Sequence, residues 1–86
     1  MLIAGTMKVR TELPDAASRA NLDAWLHLWG AMGVKEVDVA MSTSTGITCT
    51  NDGLHSFPLC SAFSVVAAVY LDIETIFVVR LTVHDR

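Results

Sequence analysis

Between Val39 and Leu71 the only charged side chain is Asp52, so 33 consecutive positions carry a single charge. Exposing that much apolar side chain to water is unfavourable, and the segment must be buried on at least one side. The burial has to be found within 86 residues, and a domain of that size keeps a large share of its surface in solvent. Apolar area is therefore expected to stay uncovered in a monomer. Contiguous apolar patches mark interaction surfaces, and closed symmetric homo-oligomers are the commonest way of covering them. The expectation is a homo-oligomer, a dimer or larger. The longest uncharged run, Gly53 to Leu71, has 19 residues, close to the roughly 20 that span a bilayer. His55, Pro58, Ser56, Ser61 and Ser64 interrupt it, and it reads as buried protein with no membrane partner.

Charge narrows the field further. Nine acidic and six basic side chains give a net charge of −3. A phosphate backbone must be met by clustered Lys and Arg, and here the six are scattered, so no nucleic-acid partner is expected. At 52% hydrophobic and 17% charged, the chain is too apolar for intrinsic disorder. Residues 1–86 read as one compact domain without linker, repeat or low-complexity tract. Cys49 and Cys60 are too few for a disulfide scaffold. Met1–Thr6 lacks the basic and apolar regions of a secretory signal, and Met7 serves as a start as well as Met1. The expected compartment is the cytoplasm.

Hydrophobic spacing gives the elements. Asp15 can cap a helix running to about Met32, with Leu22, Trp25, Trp29 and Met32 at helical spacing and Ala24, Leu28 and Ala31 widening the face. Gly33 is expected as the left-handed residue that ends it, with Val34 folding back on Trp29. Residues 7–13 alternate, with Met7, Val9, Thr11 and Leu13 opposite Lys8, Arg10 and Glu12, which predicts a strand. Residues 34–42 alternate likewise, with Val37, Val39 and Met41 opposite Glu36 and Asp38. Ile47–Thr50 is expected to return as a strand, with Cys49 buried, before a turn at Asn51-Asp52-Gly53. The last strand places Phe77, Val79, Leu81 and Val83 on one face and Ile76, Val78, Arg80, Thr82 and His84 on the other. Residues 54–72 fit both periods. The junction Leu71-Asp72-Ile73-Glu74 lacks the Gly-rich signal of a tight hairpin, which favours a helix there.

These elements give an α+β fold, with one or two helices packed on one face of an antiparallel or mixed sheet. The ferredoxin-like order β-α-β-β-α-β is favoured at this length. The alternative is a single helix on a four- or five-stranded antiparallel sheet. In the favoured order the 7–13 and 75–84 strands lie side by side. The outer face of the sheet then collects Lys8, Arg10, Glu12, Glu36, Asp38 and Arg80 and is solvated. Subunit contact falls instead to the helical side or to residues 54–72.

Chemistry-bearing residues are sparse. His27 follows Asp23 by one turn, so a carboxylate could orient an imidazole base, although such pairs are more often solvent-facing i,i+4 contacts. His55 follows a turn and could serve as acid or base. It could also pair with Cys60 as a nucleophile, and an ordinary loop histidine is the commoner case. His84 is expected to fray. No ligand spacing for a metal and no phosphate loop is visible, so no metal or cofactor is implied. Trp25, Trp29, Phe63 and Tyr70 are the candidate ligand or interface residues. The reading is a small homo-oligomeric binding or interaction protein without catalysis of its own, for a protein or a small apolar ligand. The alternative is a small dimeric α+β enzyme or ligand-binding protein with an apolar cavity and a histidine acid–base group.

Overall fold

The computed structural model describes residues 1–44 and 46–84. Strand β1 (Leu2–Ala4) is followed by helices α1 (Thr6–Glu12), α2 (Ala16–Gly30) and α3 (Val34–Thr43). Strands β2 (Thr48–Cys49), β3 (His55–Pro58), β4 (Phe63–Tyr70) and β5 (Thr75–Val83) complete the chain. The five strands form one sheet in the order β1-β5-β4-β3-β2. β1 runs parallel to β5 and every other neighbouring pair is antiparallel. The chain thus leaves one edge of the sheet, crosses a face as three helices, and meanders back until β5 lies beside β1. The α+β class is as expected, but the ferredoxin-like order is not what forms. All three helices precede the meander, and neither of the expected topologies has three helices on a mixed sheet.

Two expected strands are helices, and burial shows why. Of Met7, Val9, Thr11 and Leu13, only Val9 and Leu13 are buried, and these are one helical turn apart. Met7 is 82% exposed, as a helical position on the far side should be. In α3, Val37 is buried and Ala40 and Met41 pack against the core, whereas Val39 is exposed. The residues that matter there recur every three to four positions, and the alternation is a coincidence of a short window. Gly33 sits at φ −84°, extended, as the residue that starts α3. It does not close α2 in a left-handed turn, and its N–H donates to Glu36 Oε1 at 3.2 Å, which holds the first turn of the new helix.

Helix α2 begins as expected, with Asp15 Oδ1 accepting from the Ser18 N–H at 2.7 Å. Its buried stripe is narrower than the sequence implied. Ser18, Leu22, Trp25 and Trp29 are buried, while Ala24, Leu28 and Ala31 are exposed. Trp25 and Trp29 are equally buried, at 6% exposure. Both rings meet Phe57 edge-on, with centroids 5.3 and 5.0 Å away.

Residues 54–72 form β3 and β4 instead of a helix. Ser64, Val65, Val66 and Ala67 are buried in succession: Val65 and Ala67 face the helices, while Ser64 and Val66 are covered on the other face, where His84 bonds Ser64 and Arg80 lies opposite Val66. Such a strand loses its alternation, which is why periodicity could not identify it. The β-branched Val65, Val66 and Val69 favour the extended form. The turn into β5 needs no glycine because Glu74 itself takes the left-handed conformation, at φ 52°.

One core unites the helices with one face of the sheet. Val9, Leu13, Leu22, Trp25, Trp29 and Val37 cluster with Phe57, Val65, Ala67, Ile76 and Val78. Phe63, Leu81 and Ile3 pack against the same cluster. A β-bulge shifts the β4–β5 register, pairing Val66 with Arg80 but Ala67 with Val78. Val78 and Leu81 therefore both face the helices, and Val79 and Arg80 share the other side. The expected facing of β5 is reversed at its start: Ile76 and Val78 point inward, Phe77 and Val79 outward.

Candidate functional site

The histidine candidates are not brought together. His27 is exposed on α2, and the carboxylate of Asp23 is bonded to the Arg10 guanidinium from α1. That cation holds Asp23 below the usual carboxylate range. Asp23 is thus committed to tying α1 to α2, and the base–orienter pair does not form. His55 lies opposite Cys49 in the β2–β3 ladder, and its Nε2 is 3.6 Å from Cys49 Sγ. The thiol beside it is therefore Cys49, which is exposed and not buried as expected. His55 Nδ1 is buried without a partner among the described residues, so no carboxylate or carbonyl orients the ring. His84 is not frayed: its Nε2 is 2.6 Å from Ser64 Oγ and its N–H donates to Ala62 O at 2.8 Å.

Among the described residues there is no pocket and no group of three or more metal-ligating side chains. No described helix is long and apolar enough to cross a membrane. Of the candidate interface residues, Trp25 and Trp29 belong to the core and Phe63 packs partly against it. Tyr70 stands apart. It lies on the sheet face away from the helices, 46% exposed.

Tyr70 is one member of a larger surface. The ladder pairs Leu2 with Thr75, Ala4 with Phe77, Ala68 with Phe77, and Tyr70 with Thr75. Directly opposed residues share a face, so Leu2, Ala4, Phe77, Ala68 and Tyr70 form a block across β1, β5 and β4. Val79 adjoins it at the bulge. The rings of Tyr70 and Phe77 meet edge-on, with centroids 5.8 Å apart. Leu2, Phe77 and Val79 are 67%, 41% and 42% exposed. With Ile73 from the turn they leave roughly 400 Å² of apolar surface in water, within the range of the largest patch on an ordinary monomer.

The rest of this face is closed over by polar contacts. Arg80 Nη1 is 3.2 Å from Asp52 Oδ2 in the β2–β3 turn, above the buried Val66 and Ser64. The Thr50 hydroxyl, and then Arg80, hold Asp52 below its ordinary range. The charges expected on this face are elsewhere. Lys8, Arg10, Glu12, Glu36 and Asp38 lie on α1 and α3, in the helical layer. Because α1 and α3 are helices and not strands, the sheet keeps an apolar face where the alternating pattern predicts charge. No family model matches the chain, no curated protein matches it, and no solved structure matches it.

Proposed function

We propose that the chain is a small homo-oligomeric interaction protein without catalysis of its own. The supporting observation is the missing layer. A sheet buried on one face by helices still has a second face, and stable domains cover both or make the second polar. Here that face carries Leu2, Tyr70, Phe77 and Val79 in the open. The nearly uncharged Val39–Leu71 segment supplies β3 and β4, so few charges are available to keep the sheet solvated. Burying about 400 Å² of apolar surface at about 25 cal/mol per Å² is worth on the order of 10 kcal/mol before the costs of association. That leaves a real but moderate driving force.

The alternative, an enzyme built on a histidine, gains no support from the arrangement of His27, His55 and their neighbours. Sedimentation equilibrium from low to high micromolar protein tests the proposal. A mass at least twice 9.3 kDa at the upper end is expected, and a monomer throughout that range would refute it.

A further inference from the structure

Three surfaces could hold a second copy of this chain, and they differ in what they present. The helical layer exposes Met7, Leu28 and Val39, one each on α1, α2 and α3. Around Leu28 the exposed residues on that face of α2 and at its C-cap are alanines, among them Ala24 and Ala31, so the layer offers one large apolar side chain per helix and less apolar area than the sheet face.

The second surface is the free edge of β5. β1 pairs only with Thr75, Ile76 and Phe77. The His84 N–H points to Ala62, just before β4, so by alternation the backbone groups of Leu81 and Val83 point away from the sheet. That edge could accept another strand, but it carries Arg80 and a bulge. Both are features that keep edges from pairing.

The third surface is the open face itself. It is contiguous over three strands, its exposed centre is apolar, with Thr75 buried between Leu2 and Tyr70, and the ion pair Arg80–Asp52 lies at the margin. Charge at the rim and none at the core is how self-associating surfaces are built. Two copies can oppose such centres with the acidic Asp72–Glu74 turns that adjoin Ile73 set at opposite ends, so that like charges stay apart.

The relief of the face also fits a second copy. Phe77 stands between Ala4 on β1 and Ala68 on β4, a large ring between two methyl groups. A ridge flanked by small residues is complementary to itself under a two-fold rotation, since each ring can sit over the alanines of the other copy. Strands about 4.8 Å apart, eight and nine residues long at the centre, give a whole face of roughly 20 by 25 Å, about 500 Å² in projection. That is below the area of about 800 Å² per partner of a standard interface, so the contact takes in the polar Arg80–Asp52 rim as well as the apolar centre and is of the small, moderate kind.

We infer that two copies pack open face to open face as a two-fold β-sandwich, with Phe77 and Tyr70 as anchors. The inference rests on the self-association proposed above and names its partner and its contact. It reverses the expectation that this face is solvated.

Sedimentation of the wild type beside Phe77→Lys and Leu28→Lys tests it, with circular dichroism confirming the fold of each. Tyr70→Glu takes the place of Phe77→Lys should that variant not fold. Dimeric wild type and Leu28→Lys are expected, with the face variant dissociating at least about 30-fold more readily, as loss of an interface anchor does. A face variant as dimeric as the wild type would overturn the assigned contact and leave self-association standing. A monomeric wild type would overturn both.

Discussion

Replacing Gly5 with alanine is expected to be among the most damaging small substitutions in this chain. Gly5 joins β1 to α1 at φ 79°, where an L side chain costs about 1–2 kcal/mol. A Cβ added there would lie 2.5 Å from the carbonyl oxygen of Val78, well inside contact distance. That oxygen belongs to the backbone of β5, which is held by pairing with β4 and cannot swing away as a flexible side chain would. Forcing the atoms apart adds about 1–3 kcal/mol. Loss of glycine's freedom in the unfolded chain returns about 0.4–1 kcal/mol, so the net cost is about 1–4.5 kcal/mol, centred near 3. For a domain of this size the central value corresponds to a fall in Tm of roughly 10–25 °C.

Gly53 provides the control. It has nearly the same φ, 80°, but nothing lies within 4 Å of its Cβ position. Gly53→Ala should therefore cost only the conformational part, about 1 kcal/mol. Urea unfolding of both variants measures the difference. A Gly5→Ala variant no less stable than Gly53→Ala would refute the steric account of this junction.

Other outcomes follow from the same contacts. Trp29→Ala should cost about 3–5 kcal/mol by chemical denaturation, as removal of a buried large aromatic does, and unchanged unfolding would contradict its place in the core. Glu74→Gly should stabilise the protein by about 0.5–1 kcal/mol, since it relieves a left-handed non-glycine residue; a lower urea midpoint would contradict that. Acid should destabilise the fold in a defined window. The Ser18 N–H lowers Asp15, Arg10 lowers Asp23, and the Thr50 hydroxyl and Arg80 lower Asp52. Carboxylates held below their unfolded value contribute fully above about pH 4 and lose that contribution as pH falls through their folded values. The urea midpoint should fall more steeply below about pH 4 in the wild type than in a variant with Asp15, Asp23 and Asp52 all changed to Asn, and equal slopes would contradict the assignment.

The sequence was most legible where an element is long and one-sided. Helix α2 could be read from Asp15, Leu22, Trp25 and Trp29, and β5 and the Asn51-Asp52-Gly53 turn were also evident. Short elements misled. Over seven residues a helix that buries only Val9 and Leu13 also satisfies an alternating pattern, and the same holds for α3 around Val37 and Met41. The Gly33–Glu36 spacing was the available signal for the start of α3. Strand β4 was obscured for a different reason, because Val65 is buried under the helices and Val66 on the other face opposite Arg80. The candidate site inherited these errors. Tyr70 stands out in the sequence as an interface residue, but the alternating pattern places Lys8, Arg10, Glu12, Glu36 and Asp38 on the face around Phe77, and α1 and α3 carry them to the other side of the sheet.

Contact between the two open faces is most directly tested by isotope-filtered nuclear Overhauser measurements on a mixture of labelled and unlabelled chains. Cross-peaks between subunits are expected from the Phe77 and Tyr70 rings to the methyl groups of Ala4, Ala68 and Leu2. Intersubunit peaks confined to Met7, Leu28 or Val39 of the helical layer, or no such peaks at all, would contradict the account.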